Sequence, residues 1–368
     1  MDASPNLYHF ATSELSQDAT LAYLLAWADN RYRTDKTGMH EFGRDLLIAM
    51  LAPHDRGLPA AAHVTILRQK YNIDVLVVVS IDDSTPSLAL IIEDKTFTRV
   101  QNPFRKYRKR VEEGLSIAAA DIFVTVVSLG NQFLYADPDR PFQIFRRSEL
   151  LTILQRDAYM GVQNTILQNF KAHYESHHAV YETHRSELPP DQWTSPRMWE
   201  GYYQYLCALP DEEAPFWHYG YAANESGGTW WCASRTAGTF WGYSVYLQLE
   251  YSNKAVPSLE EEHRPQCLMV FKLGPVADHE ERNSEIARSF YALLDAAAVE
   301  HGYRTAPHPG QRIVANNRGQ VLKRPLSLRA GEYVSCGLVA EGDWFVGGER
   351  EMALEQLRRF YRFLQEAL

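Results

Sequence analysis

Hydrophobic positions in the first half of the chain follow a helical period at first and a strand period afterwards. Apolar residues spaced three and four apart favour helices, whereas runs of Val, Ile and Leu favour buried strands. The segment SIDDSTPS separates two such runs and supplies turn residues between them. The pattern predicts, in chain order, helix 17–29, helix 40–51, strand 63–69, strand 73–79, strand 88–93, helix 99–114, strand 121–128, helix 146–155 and helix 160–184.

The pattern changes at residues 187–197, ELPPDQWTSPR, which hold three prolines and predict a linker. Six of the eight tryptophans lie between Trp193 and Trp241, so the second half has a different composition. We therefore expect one domain over 1–186, the linker over 187–197, and an aromatic-rich α+β domain over 198–368. The predicted elements of the second domain are antiparallel strands 229–235, 241–251 and 267–273 and helices 284–299 and 350–367.

The composition agrees with a folded protein of two domains, since the 368 residues are 45% apolar and 23% charged. The formal net charge of −9 excludes a globally basic nucleic-acid coat protein and leaves a local basic patch open. The four cysteines form no Cys-x-x-Cys pair, so a thiolate zinc site is not expected. The chain has neither a signal-peptide pattern nor an apolar run of ~18 residues, which predicts a cytoplasmic protein without a membrane partner.

One group of charged residues stands at the ends of two apolar strands. Asp74 opens the first strand and Glu93 closes the next. A hairpin centred between Asp83 and Ser84 places the two carboxylates opposite each other, with side chains ~4.5–5.5 Å apart. Lys95 follows two residues after Glu93, so strand alternation puts it on the same face.

Two carboxylates and an ammonium at the end of an apolar hairpin need a physical reason. Desolvated like charges repel, and each ion is costly to bury without a partner. A bound Mg²⁺ or Mn²⁺ ion relieves this repulsion through oxygen ligands, and it activates a water or stabilises a leaving oxygen. The spacing alone also fits solvated strand-end residues, with Lys95 as a simple salt-bridge partner.

This arrangement, Asp-(x18)-Glu-x-Lys, resembles the PD-(D/E)xK nuclease superfamily. The matching residues are Asp74 in YNIDVLVVV and Glu93-Asp94-Lys95 in LALIIEDKT, while Ile73 stands where the family name has proline. The flanking segments ATSELSQDATLAYLLAW, NPFRKYRKRV, DIFVTVVSLG and IFRRSELLTIL are similar to those of bacterial proteins of this superfamily. The resemblance covers roughly residues 7–155.

The resemblance implies a restriction-endonuclease-like α/β (α+β) fold, with a mixed central sheet flanked by helices. It assigns metal binding to Asp74, to Glu93 and to the main-chain carbonyl of Asp94. It assigns the role of catalytic lysine to Lys95.

Further roles are implied for residues outside the hairpin. Many members of the superfamily add a glutamate from the first helix, for which Glu14 is the first candidate and Glu41 the second. Members often carry a glutamine on the helix after the lysine. Gln101 is the candidate, although its spacing to Tyr107 is longer than is usual in the family.

A basic segment, RVQNPFRKYRKR, follows Lys95 and places six basic residues within twelve. A cationic surface of this kind suits phosphate contacts and would border the site. The alternative is a solvated helix face whose cations pair with Glu112 and Glu113. The candidate nucleic-acid-binding residues are Arg99, Arg105, Lys106, Arg108 and Lys109.

Together these observations predict a hydrolase, namely a Mg²⁺- or Mn²⁺-dependent nuclease that cleaves phosphodiester bonds, with DNA favoured over RNA. Family-level analogy suggests DNA maintenance or anti-phage defence. One alternative is a non-catalytic regulatory module of the same fold that binds nucleic acid or a ligand, and another is an unrelated enzyme with an accidental motif. Formation of a homo-oligomer, and a ligand or partner at the second domain, stay open.

Overall fold

The computed structural model divides into two compact units, Met1–Ala179 and Val180–Leu368, each described here by itself. The boundary lies inside the helix predicted over 160–184, seven residues before the predicted end of the first domain. The structure describes residues 6–10, 14–82, 85–95, 104–130, 142–186, 188, 192–193, 195–210, 216–222, 229–252, 267–274, 280–300, 303–307, 334–340 and 350–368.

The first unit is mixed α/β, and its elements follow the predicted order except for one added strand, Gln143–Arg146, which was not predicted. Its strands and its longer helices are α1 (Glu14–Ala26), α2 (Met39–Leu51), β1 (His63–Arg68), β2 (Val75–Ser80), β3 (Pro86–Asp94), α3 (Phe104–Leu115), β4 (Ile122–Ser128), β5 (Gln143–Arg146), α4 (Arg147–Leu154) and α5 (Thr165–Tyr181). The last helix crosses into the second unit by two residues.

The sheet of the first unit has the order β1-β2-β3-β4-β5. The first three strands pair antiparallel, whereas β3, β4 and β5 pair parallel, so the sheet is mixed as predicted. A parallel pair needs a crossover connection, and α3 lies in the one between β3 and β4.

Helices cover both faces of this sheet, because the residues that point to each face of the central strands are apolar. Residues such as Val77 and Leu90 pack with α1, α2, α4 and α5. Residues such as Val78 and Ile91 pack with α3 on the opposite face. The helices α1 and α2 approach closely at Gly43, where a Cβ would lie 2.7 Å from the backbone nitrogen of Ala28.

The described residues of the second unit form an antiparallel sheet and three long helices, which agrees with the predicted α+β class. Its sheet has the order β11-β12-β10-β9-β7-β6, and β8 pairs with β9. Its elements are α6 (Pro196–Ala208), β6 (Phe216–Ala222), β7 (Thr229–Ser234), β8 (Gly238–Phe240), β9 (Tyr243–Ser252), β10 (Cys267–Leu273), α7 (Glu280–Glu300), β11 (Tyr303–Pro307), β12 (Val334–Ala340) and α8 (Arg350–Ala367).

Several features of the second unit differ from the prediction, among them the strands β8, β11 and β12, which were not predicted. The end of the predicted linker is structured, because Trp193 is buried against Trp199 and α6 already begins at Pro196. Proline suits this first helical position, where no N–H is needed. Strand β6 was not predicted, because His218 and Gly220 interrupt its apolar run.

Aromatic side chains form much of the second core. Trp199 stacks on Tyr251 with ring centroids 5.9 Å apart, and both rings are buried. Trp241, by contrast, is 45% exposed. No helix among the described residues is long and apolar enough to cross a membrane.

Candidate active site

The hairpin of β2 and β3 puts the two predicted metal-binding residues at the same end of the strand pair. Val79 pairs with Leu88 and Val75 with Ile92, in the predicted register. Continued by one residue, past the start of β2, this register sets Asp74 opposite Glu93. Directly opposed residues share one face of a sheet, and here that face is the one covered by α3.

Lys95 lies on the same face as Glu93. Its Nζ is 2.7 Å from Oε1 of Glu93, with 13% of the lysine side chain and 4% of the glutamate side chain exposed. The same ammonium donates a hydrogen bond of 3.1 Å to the main-chain carbonyl of Asp94. Little solvent reaches this ion pair, so its electrostatic attraction is stronger than that of an exposed pair.

Asp94 connects the two faces of the sheet. Its backbone N–H donates a hydrogen bond of 3.2 Å to Oδ2 of Asp74, on the face that carries the candidate site. Its own carboxylate projects to the opposite face and accepts a hydrogen bond of 2.6 Å from Nε2 of Gln17 in α1. The carbonyl of Asp94 therefore belongs to the site, whereas its buried side chain anchors the end of β3 to α1.

A third helix continues this connection. The hydroxyl of Tyr174 in α5 donates a hydrogen bond of 2.6 Å to Oε1 of Gln17. Burial raises the pKa of Tyr174 well above its ordinary value, and the nearby Asp94 carboxylate raises it further. The phenol stays protonated as a donor, so Tyr174, Gln17 and Asp94 form a buried hydrogen-bonded chain from α5 through α1 to β3.

Tyr107 is a member of the site region that the sequence analysis did not assign to it. It lies on the inner face of α3, where it packs with the apolar residues of the sheet. Burial raises the pKa of its phenol, and the charges of Glu93 and Asp74 raise it further. In the sequence, the helical spacing of Tyr107 from Phe104 and Val111, both buried on α3, indicates that it lies on the inner face of this helix.

The structure separates the two candidates for an additional glutamate. Glu14 is the first residue of α1, three positions before Gln17, which contacts Asp94 at the end of β3. The side chain of Glu14 lies outside the described residues. Glu41 is exposed in the first turn of α2, close to His40, which bonds the carbonyl of Trp27. Trp27 lies ten residues after Gln17, about 15 Å along a helix. Glu41 is thus at the far end of α1.

Two further predicted residues, Gln101 and Arg99, lie outside the described residues. In α3, Arg105, Lys106 and Lys109 are exposed, as a phosphate-binding face requires. The ammonium of Lys109 lies 3.7 Å from a carboxylate oxygen of Glu113, so one cation of this face also has the acidic partner that the alternative interpretation, a solvated helix face, expects.

Arg108 differs from the expectation of an exposed cation. It is partly buried on the inner side of α3, and this burial lowers the pKa of its guanidinium group. The pKa of His54 is lowered to about 4 by burial and by the nearby charge of Arg108. Helical periodicity explains the difference, since position 108 follows Phe104 by one turn and faces the sheet.

The donor chemistry of the site suits a hard divalent cation. The carboxylates of Asp74 and Glu93 and the carbonyl of Asp94 are oxygen ligands, which Mg²⁺ and Mn²⁺ prefer. Among the described residues, no group of three or more His, Cys, Asp or Glu side chains is arranged to hold a metal ion. The predicted ligand set consists of two carboxylate side chains, Asp74 and Glu93, and one main-chain carbonyl, Asp94, so it has fewer than three acidic side chains.

Comparisons with known proteins add no relative to this description. No family model, no curated protein and no solved structure matches the chain.

Proposed function

We propose that the first unit is a metal-dependent nuclease that hydrolyses phosphodiester bonds, with DNA as the favoured substrate. The observation that carries the proposal is that Asp74, Glu93 and Lys95 share one sheet face, with Lys95 buried against Glu93 at 2.7 Å.

Each residue has a distinct role in this proposal. Asp74, Glu93 and the carbonyl of Asp94 would hold Mg²⁺ or Mn²⁺, which supplies positive charge at the reacting phosphate when bound. Lys95 orients the nucleophile and stabilises the negative charge that develops on the phosphate oxygens. Its contact with Glu93 holds the ammonium close to the carboxylates, so the positive charge is already in position before the substrate binds.

The exposed face of α3 supplies the surface for the substrate. Arg105, Lys106 and Lys109 project from a helix whose inner face carries Tyr107 toward the carboxylates. A nucleic-acid backbone bound on these cations therefore runs beside the candidate site. We further propose, by analogy with the family that the motif resembles, a role in DNA maintenance or anti-phage defence.

A second candidate function is a non-catalytic module that binds nucleic acid or a ligand. One observation favours it: Lys95 already contacts both Glu93 and the Asp94 carbonyl, so its ammonium compensates the acidic groups without a metal.

A cleavage panel distinguishes the two functions. The full chain is incubated with single- and double-stranded DNA and RNA, each with Mg²⁺, Mn²⁺ or EDTA. We expect metal-dependent cleavage, strongest on DNA, that is lost in Lys95→Ala. Binding of nucleic acid with no cleavage under any of these conditions would instead support the non-catalytic module.

A further inference from the structure

The turn between β1 and β2 has an unusual backbone. Gln69, Tyr71 and Asn72 all have positive φ angles, of 54°, 61° and 63°, although none of them is glycine. Left-handed backbone is uncommon for side chains other than Asn and Asp, so Gln69 and Tyr71 store conformational strain, whereas Asn72 adopts it at little cost. Strain of this kind concentrates at functional sites, where the surrounding structure holds it in place.

Two contacts with α3 hold the turn rigid. Arg110 donates a hydrogen bond of 3.0 Å from Nη1 to the carbonyl of Tyr71. The hydroxyl of Tyr71 lies against Gly114, where a Cβ atom would come within 1.9 Å of it. The glycine thus leaves the space that the tyrosine occupies, and the turn is fixed to the helix whose outer face carries the exposed cations.

The turn adjoins the candidate active site. Arg68 pairs with Val75 at the end of the two strands, and the N–H of Gln69 donates to the carbonyl of Asp74 at 3.3 Å. The candidate metal-binding carboxylate is therefore two residues after Asn72. A substrate held at Asp74 passes beside this turn.

The side chains of the turn face solvent and are polar or basic. Arg68, Gln69, Lys70 and Asn72 are exposed. The charges of Arg68 and Lys70 have the same sign as those of the neighbouring α3 face, so the two surfaces complement one polyanion. Gln69 and Asn72 add amide groups, which pair in two-point fashion with the major-groove edge of adenine.

Resting on the proposed nuclease function, we propose that residues 68–72 form a recognition turn that enters the major groove of double-stranded DNA beside the scissile phosphate. Gln69 and Asn72 contact base edges, and Arg68 and Lys70 contact the flanking phosphates. The major groove of B-form DNA admits protein elements, whereas that of A-form RNA is too narrow for side chains to read. The rigid backbone holds the Cα positions of Gln69 and Asn72 before binding, so only their side chains lose freedom on association.

Glycine substitution tests this proposal, because glycine adopts positive φ without strain. Gln69→Gly with Asn72→Gly removes both amides, and relief of the left-handed strain offsets the freedom that glycine adds to the unfolded chain, so the turn is retained. The control is Ser116→Gly, at another exposed non-glycine residue with positive φ, 55°. Both changes are made in the Lys95→Ala background, and binding is measured on a randomised duplex library and on single-stranded DNA.

We expect the Lys95→Ala protein to select a subset of duplexes and the double glycine variant to lose about tenfold or more of that selectivity. Its affinity for random duplex and its salt dependence should stay unchanged, and Ser116→Gly should select like the parent. Lys70→Gln should instead lower the slope of log affinity against log salt by about 0.9, with selectivity kept.

The outcomes separate this inference from the proposed function. Metal-dependent cleavage by the wild-type protein, together with unchanged selectivity in the double glycine variant, overturns the recognition turn alone. Cleavage without any duplex preference, or a preference for single strands, does the same. Failure of the wild-type protein to bind or cut any nucleic acid overturns both.

Discussion

The ammonium of Lys95 lies 2.7 Å from a carboxylate oxygen of Glu93, two residues earlier on the same strand end, and both side chains are almost excluded from solvent. Residues i and i+2 of an extended segment share a face, so the backbone itself brings the pair together. Removing Lys95 leaves the Glu93 carboxylate buried without its cation, an unfavourable state that a divalent ion bound at the carboxylates would relieve.

We expect Lys95→Ala to reduce cleavage by about 100-fold or more, because a positioned positive charge at a developing anion contributes that much to turnover. The loss should lie in kcat, with the affinity for Mn²⁺ retained. Single-turnover cleavage and calorimetric titration measure the two quantities. Lys36→Ala, at an exposed lysine of the same unit, is the control and should behave like the wild type. Wild-type turnover in Lys95→Ala would contradict the nuclease function.

We expect Asp74→Ala and Glu93→Ala each to weaken Mn²⁺ binding strongly, because each removes a charged oxygen donor from a set of three. Calorimetric titration of the full chain measures this affinity. Glu112→Gln, at an exposed residue on α3, removes the same charge outside the site and should leave the affinity unchanged. Equal affinity in all three variants and the wild type would mean that any metal site lies elsewhere.

The exposed cations of α3 should govern affinity for nucleic acid. Neutralising Arg105, Lys106 and Lys109 to Gln should lower the slope of log affinity against log salt by about 0.7–0.9 for each lost phosphate contact. The matched control neutralises three arginines of α8 in the second unit, so that the total charge change is equal. These are Arg358, Arg359 and Arg362, which lie near Glu355. A slope equal to that of the wild type in the α3 variant would show that this face only meets solvent.

A change at Tyr174 should alter the candidate active site through the hydrogen bonds that link Tyr174, Gln17 and Asp94. Tyr174→Phe removes a buried hydrogen bond and should cost about 1 kcal/mol in the free energy of unfolding, measured by urea denaturation. Because Gln17 then loses its orientation, we also expect a lower cleavage rate. Tyr8→Phe removes a comparable buried contact, to Thr20 at 2.7 Å, and should lower stability alone. The prediction fails if both variants cut at the wild-type rate.

The first unit should lose stability in mild acid through His54. Its pKa in the folded state is about 4, against ~6.5 in an unfolded chain, so the unfolded state binds the proton first as the pH falls. The stabilisation is therefore complete above pH ~6.5 and declines toward pH ~4. After a discount for the partial exposure of His54, we expect a loss of about 1–2 kcal/mol.

Urea denaturation at several pH values measures this effect, with hydrogen exchange of β4 reporting the first unit. His54→Gln keeps a polar group for Thr125, which His54 contacts at 3.0 Å, and should flatten the pH dependence. His218→Gln is the control, because the pKa of His218 is also lowered to about 4 by burial, but in the second unit. The prediction is contradicted if the stability reported by hydrogen exchange of β4 depends on pH in His54→Gln as strongly as in the wild type.

Several features of the fold could be predicted because they depend on local pattern. The register of β2 with β3 follows from the turn in SIDDSTPS and from two apolar runs of similar length, so the pairing of Val79 with Leu88 could be derived in advance. The helix over α2 and the strand β4 have strong periodicity and appear within one residue of the predicted bounds.

Other features could not be predicted because they depend on packing between distant segments. The inward orientation of Arg108 is set by the face that α3 turns to the sheet, and a run of basic residues does not identify that face. Burial of Trp193 in the second unit likewise depends on its contacts with Trp199 and Tyr202. The proline-rich composition of the segment does not indicate these contacts.

Residue spacing and strand alternation are local properties of the chain, so the charges at the ends of the two strands could be identified before the fold was known. Their surroundings depend on the packing of distant segments. Gln17 and Tyr174 anchor Asp94 from the opposite face, Tyr107 approaches the carboxylates, and Arg110 and Gly114 fix the strained turn at Tyr71. These contacts join residues up to 157 positions apart. They depend on how helices pack on the sheet, and that packing follows from the shapes of many side chains together.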